Sequence, residues 1–246
     1  MLEQLDNSNT IIIIGRANSG TRILPESMIL SGIFMGSPLN EASDLMPTDD
    51  MYECCRIFGN YVDRKGRYEW DFSRACATPP PPLFQQLLTS YLQPIIDSVD
   101  EKKGWKIPNN TLIYPWLTKL LPNASFIHWV RHPESSCVKM TGVDRLENWN
   151  IPARKFLFHE FNYKMRAISW KYHYDIVNDT PRPKNFLQVR YEDYVLYQEE
   201  SKKIIEAFIQ TKLPLLSLDK KKAGPYSKKY HKYAILEKSL GELKYT

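Results

Sequence analysis

The chain has 246 residues, 43% of them hydrophobic, with 33 Lys+Arg against 28 Asp+Glu and a formal net charge of +5. That length suits one α/β domain, and the apolar fraction is enough for a sizeable core. The basic excess is too small to argue for nucleic acid, and the apolar run near the N-terminus is far too short to span a membrane.

The first ten residues, MLEQLDNSNT, are polar and acidic, with neither a basic region nor an apolar signal core. The four cysteines, Cys54, Cys55, Cys76 and Cys137, show no zinc-like spacing, and two of them are adjacent. A reduced, cytoplasmic setting is the expectation. The five histidines form no ligand cluster along the chain.

Residues Ile11 to Leu24 read IIIIGRANSGTRIL. Four consecutive β-branched residues predict a strand buried on both faces, as in a parallel sheet. A Gly-containing turn, Gly15 to Arg22, follows. Then Ile23, Leu24, Met28, Ile29 and Ile33 recur at helical spacing. Strand, glycine turn and helix form the layout of a phosphate cradle, in which backbone N–H groups face an anion. Gly15 and Gly20 have the separation of a nucleotide-triphosphate P-loop. Thr21, however, stands where the lysine belongs, and Arg22 where the metal-binding hydroxyl belongs. This disfavours a magnesium-dependent kinase or ATPase. Arg16 and Arg22 suit an anion bound without a metal.

Met35 to Asp50 reads as a polar loop that contains Asn40-Glu41-Ala42-Ser43-Asp44. Residues 51–82 are irregular, rich in aromatics and end in four prolines. They suggest either a substrate-side insertion with short helices or a surface cap. Leu83 to Val99 predicts a helix kinked at Pro94. Trp105 to Pro108 predicts a strand end, Thr111 to Leu121 a helix, and Ser125 to Val130 a second buried strand. Arg131-His132-Pro133 then opens a helix through Met140. Arg154 to Asn178 predicts a long helix, Phe186 to Arg190 a third strand, and Gln198 to Gln210 a further helix. Strands alternating with helices imply a single domain, 1–246, with a mostly parallel sheet covered on both faces. Lysines crowd the segment 212–246 (Lys220, Lys221, Lys222, Lys228, Lys229, Lys232). Such a tail is ordinarily solvated, but it can also contact an anionic ligand.

Asn18-Ser19-Gly20-Thr21-Arg22 resembles the 5′-phosphosulfate loop of sulfotransferases that use 3′-phosphoadenosine 5′-phosphosulfate (PAPS). In that family a basic residue usually stands where Asn18 does. Phe126 to Met140, FIHWVRHPESSCVKM, is similar to the family's 3′-phosphate motif. A strand there ends in an arginine, here Arg131, that can bind phosphate through a bidentate fork. The family's serine eight positions later is replaced by Lys139, which offers a point charge instead. Lys106 to Pro122 resembles the family's Lys-x-Pro strand end. Pro108 occupies the place of the catalytic histidine of cytosolic relatives, which implies the carbohydrate and tyrosine branch, whose base is a carboxylate. Val189 to Tyr194 is similar to the family's Arg-Tyr-Glu-Asp-Leu segment, with Tyr191 near the adenine. Together these matches span residues 11 to 194.

The resemblance implies a P-loop-like sulfotransferase fold and transfer of a sulfonate from PAPS to an acceptor hydroxyl, on a sugar or other small molecule. Bisphosphate is the product, and no metal is needed. The implied cofactor-binding residues are Arg16, Asn18, Ser19, Gly20, Thr21, Arg22, Arg131, Lys139 and Tyr191. The implied catalytic residues are Glu41, Arg16 and Lys106. Glu41 is the first acidic residue beyond the first helix, with Asp44 next. Arg16 stands two positions before the neutral Asn18 and is the candidate to fold back over the phosphosulfate. Two other readings stay open: a non-catalytic adenosine bisphosphate-binding protein, favoured by Asn18, and a small-metabolite kinase. Trp70, Trp105, Trp149 and Tyr114 either stack on an acceptor or belong to the core.

Overall fold

A computed structural model of the chain describes residues 1–153, 162–224, 226 and 234–245. In chain order, β1 (Thr10–Ile14) is followed by α1 (Ile23–Ile29) and α2 (Asp49–Gly59). Next come the antiparallel hairpin β2 (Asp63–Gly66) and β3 (Glu69–Asp71), then α3 (Ser73–Ala77), α4 (Pro82–Tyr91) and α5 (Gln93–Ile96). The remainder is β4 (Lys103–Lys106), α6 (Tyr114–Leu120), β5 (Ser125–Val130), α7 (Pro133–Ser136), α8 (Asn162–Asn178), β6 (Asn185–Arg190), α9 (Tyr191–Leu196), α10 (Gln198–Ile209) and α11 (Ala234–Glu242).

The main sheet has the order β4-β1-β5-β6, and every pairing in it is parallel. β1 is buried along its whole length, as its four isoleucines require. Its side chains alternate between two cores, as strand geometry dictates. Ile12 and Ile14 join Phe58, Phe84, Trp116 and Tyr172 on the side of α2, α4, α6 and α8. Ile11 and Ile13 join Leu24, Met28, Tyr194 and Ile205 on the side of α1, α9 and α10. Helices therefore cover both faces. Each isoleucine taken fully from water contributes about 1.5–3 kcal/mol.

β1 connects onward to β4 on one side, whereas its neighbour β5 connects onward to β6 on the other. The carboxyl ends of β1 and β5 therefore flank a topological switch point, where open α/β sheets bind ligands.

The structure corrects several element boundaries. The helix expected over Leu83 to Val99 is two, because Pro94 has no N–H to donate and sits at the start of a new helix after α4 ends. The helix expected from Thr111 begins at Tyr114, after a 3₁₀ turn over Pro108–Thr111. The helix after Arg131 stops at Ser136, so Lys139 lies beyond it on irregular chain. Of the long helix expected from Arg154, residues 154–161 lie outside the described residues, as do His159, Lys228, Lys229, His231 and Lys232.

Residues 51–82 are no loose cap. Cys54, Cys55, Phe58, Phe72 and Ala75 all enter the larger core. Trp105 and Tyr114 are fully buried there too, whereas Trp70 and Trp149 keep slight exposure. All four cysteines are free, and burial pushes the Cys55 thiol up to about 12. No helix among the described residues is long and apolar enough to cross a membrane.

Candidate active site

The turn after β1 is built by close approach. The Gly15 amide donates to Thr111 Oγ1 at 2.8 Å, and a Cβ on Gly15 would lie 2.5 Å from the Trp129 carbonyl oxygen. Trp129 Nε1 donates to the Ser19 carbonyl at 2.9 Å. Asn18 and Gly20 are both left-handed, with φ of 62° and 75°. Asparagine tolerates that region where most side chains do not, which accounts for its place in the turn. A Cβ on Gly20 would stand 2.5 Å from the Tyr191 ring. Ser19 and Thr21 are buried. Among the described residues, the amides of Gly20, Thr21 and Arg22 donate to no protein acceptor. Free amides at the entry to a helix are groups with which proteins hold anions.

Arg131, at the carboxyl end of β5, crosses this turn. Its guanidinium carbon lies 4.0 Å from the Tyr191 ring centroid, a cation–π contact. Nη1 donates to the Asn18 carbonyl at 3.4 Å and Nη2 to the Lys222 carbonyl at 2.8 Å. Nε is buried without a partner. Tyr191, at the start of α9, is 4% exposed, and burial pushes its hydroxyl up. Lys139 has an exposed side chain, and its carbonyl accepts from Asn18 Nδ2 at 3.2 Å. Asn18 thus ties the turn to the segment after α7. The 3₁₀ turn Lys220–Ala223 joins the site through Lys222. Its lysine run was the only sign of that in the sequence.

Arg16 does not lie on the open side of the turn. It is 3% exposed, with Nη2 2.5 Å from Asp144 Oδ1. Nη1 donates to the carbonyls of Ser136 and Ala17 at 2.5 and 2.9 Å. Asp144 also caps its own 3₁₀ turn, accepting from the Thr141 amide and hydroxyl. The expectation that Arg16 folds back over the donor meets a guanidinium already committed beneath the turn.

Lys106 ends β4, and its Nζ lies 2.6 Å from Asp44 Oδ1, with side chains 3% and 14% exposed. It also donates to the Ala42 carbonyl. Asp44 Oδ2 accepts from Asn40 Nδ2 at 3.2 Å, and Asn40 Oδ1 in turn accepts the Ala42 and Asp44 amides. Burial pulls the Lys106 ammonium down, while Asp44 pulls it back up. Glu41 is exposed, its carbonyl accepting from Arg22 Nη1 at 3.2 Å. Among the described residues its carboxylate has no partner. Arg22 is otherwise solvated and pairs with Glu26 at 3.2 Å. The Lys106–Asp44 pair is a contact that sequence reasoning missed, since the two are 62 positions apart. No cluster of metal-ligating side chains occurs among the described residues.

The chain resembles known proteins in fold and in sequence. The solved structure titled "Sulfotransferase Domain from the Curacin Biosynthetic Pathway" superposes with a TM-score of 0.54 at 16% identity, covering 98% of this chain and 99% of that one. The "Sulfotransferase Domain from the Synechococcus PCC 7002 Olefin Synthase" gives 0.46 at 19% identity, over 90% and 78%. No curated protein matches in sequence. A family model described as "Sulfotransferase family" matches residues 11–214, from β1 to just beyond α10 and over the whole sheet. The chain belongs to the sulfotransferase family.

Proposed function

We propose that the protein transfers a sulfonate from PAPS to an acceptor hydroxyl on a sugar or other small molecule. The observation that carries this reading is Arg131, laid across Tyr191 and against the carbonyl of Asn18. It supplies a second cation beside an amide-lined turn that lacks the P-loop lysine. A donor with two separate anionic groups fits such a pair of sites. The unused amides and the unpartnered Arg131 Nε leave donors for both groups.

When bound, PAPS supplies an activated sulfonate on a phosphate leaving group. The amides of Gly20 and Thr21 would hold the 5′ anion, with Ser19 and Thr21 shaping the turn. Arg131, with Lys139, would hold the 3′-phosphate, and Tyr191 would border the adenine. Arg22 and Lys106 would meet the charge that grows on the leaving phosphate. Glu41 would take the acceptor proton, since its carboxylate has no competing partner, whereas both oxygens of Asp44 are engaged by Lys106 and Asn40. Arg16 would act by fixing the turn from below. Four free thiols support a reducing, cytoplasmic setting.

The neutral Asn18 keeps a second reading alive, a non-catalytic bisphosphate-binding protein. Labelled PAPS with a panel of sugars, phenols, alcohols and lipids separates the two. Labelled product supports the enzyme. Tight binding of adenosine 3′,5′-bisphosphate with no transfer to any acceptor supports the binder. Greater thermal stabilisation by magnesium-ATP than by the bisphosphate would overturn both.

A further inference from the structure

We infer that Glu192 is the positioning residue of the 3′-phosphate site, orienting Arg131 and anchoring the C-terminal segment beside it. The inference deepens the sulfotransferase reading above and rests on it for the identity of the anion.

Both polar ends of one peptide unit are held here. The Arg131 carbonyl accepts from Trp170 Nε1 at 2.9 Å, and the His132 amide donates to Glu192 Oε1 at 3.1 Å. A peptide unit is planar, so a bond at each end fixes its plane. That plane sets the direction in which the Arg131 side chain leaves the end of β5. Tyr191, the residue before Glu192, carries the Arg131 guanidinium on its ring at 4.0 Å. The first two residues of α9 therefore hold the arginine at both ends, Glu192 through its main chain and Tyr191 through its guanidinium.

The carboxylate is held in turn by the C-terminal segment. Tyr226 donates its hydroxyl to Glu192 Oε1 at 2.6 Å, and Tyr245 donates to Oε2 at 2.5 Å. Such lengths are those of hydroxyls donating to a charged acceptor. Burial and the charge of Glu192 push both hydroxyls up, so both stay protonated donors. The Tyr226 ring also stacks on the His132 ring, with centroids 4.0 Å apart and planes 6° from parallel. Lys222, whose carbonyl accepts from Arg131 Nη2, stands shortly before Tyr226. The segment thus meets the arginine and its anchor together.

Charge separates this role from a direct one. Glu192 is 4% exposed and forms no ion pair among the described residues. Arg190, two positions earlier, is spent on Asp193 at 2.8 and 2.5 Å. A negative charge near Arg131 repels phosphate, so on charge alone its removal would tighten binding. Orientation predicts the opposite sign, because the loosened peptide unit no longer aims Arg131.

Calorimetry with adenosine 3′,5′-bisphosphate and adenosine 5′-phosphate tests this, since the two differ only in the 3′-phosphate. Glu192→Ala should cut the preference for the bisphosphate about tenfold, with 5′-phosphate affinity little changed. Glu192→Gln keeps an acceptor for the His132 amide and should keep the preference. Tyr226→Phe/Tyr245→Phe retains both rings, removes both donors and should lower the preference by a smaller factor. That variant carries the test if Glu192→Ala does not fold. A preference unchanged or raised in Glu192→Ala or in the tyrosine pair would overturn the positioning role. So would an equal loss for both ligands, or a loss in Glu192→Gln as large as in Glu192→Ala. Hydrogen exchange of the His132 amide, followed by NMR without any ligand, should quicken in Glu192→Ala and not in Glu192→Gln. Unchanged exchange would also overturn the role. Quickened exchange in a protein that shows no preference for the bisphosphate would sink the donor reading and leave Glu192 assigned to Arg131.

Discussion

Arg16 and Asp144 are 128 positions apart and form an ion pair of 2.5 Å with side chains 2% and 0% exposed. The pair links the start of the turn after β1 to the segment beyond α7. Removing one partner of such a pair strands a buried charge, at a cost of about 3–5 kcal/mol. Arg16→Met and Asp144→Asn should each destabilise on that scale in denaturant titrations. The double variant should lose clearly less than the two single losses added together. Strict additivity would mean that the pair is not coupled.

Gly20 combines a φ of 75° with a Tyr191 ring 2.5 Å from where a Cβ would stand. Gly20→Ala therefore meets both backbone strain and a clash. A stability loss of about 1–3 kcal/mol is expected. Bisphosphate affinity should fall at least tenfold, because Tyr191 and Arg131 move together. Calorimetry reads both effects, and unchanged affinity would remove the turn from the donor site.

Glu41 and Asp44 should differ in kind. Glu41→Gln keeps shape and removes a base, so kcat should fall by on the order of a hundredfold with bisphosphate affinity intact. Asp44→Asn removes the opposite charge that offsets the burial of Lys106. The lysine then deprotonates more readily, so the alkaline limb of the pH–rate profile should move to lower pH. An unmoved limb would deny Lys106 a role as a catalytic cation. Near-normal turnover in Glu41→Gln, with a large loss in Asp44→Asn, would transfer the base to Asp44.

Stability should decline on mild acidification. Burial lowers His128 to about 3 and His173 to about 4, from an ordinary value of 6.5. Both are held neutral in the fold, so the unfolded chain binds more protons below pH 6.5. Their contribution is fully present above 6.5 and is lost as pH falls toward 4. Asp175 works the other way. Burial raises it to about 6, so its cost eases as pH falls below 6. The histidines outweigh it, with a net loss on the order of 3 kcal/mol between pH 7 and pH 5. Thermal melts should show Tm falling by about 5–10 °C over that interval. A flat profile would mean that the two rings are not buried neutral.

Local chemistry made much of this protein readable in advance. Four isoleucines admit few fates besides a doubly buried strand, and β1 is one. SFIHWV is likewise β5, residue for residue. The alternation of strands and helices carried the parallel sheet, and the motifs carried the family, because both depend on neighbours within a few positions. Helix ends were less legible. The early stop at Ser136 depends on which backbone groups find partners elsewhere, whereas Pro94 breaks the helix through its own missing N–H. The pairings that shape the site lay beyond reach. Nothing near Arg16 in sequence announces Asp144, and nothing near Lys106 announces Asp44. A buried charge must find a counter-charge, but which one depends on how the sheet brings distant loops to its carboxyl edge. The isolated sequence shows Arg16 and Lys106 only as cations. Burial and partner assign the first to holding the turn and leave the second at the sheet's edge beside Asp44.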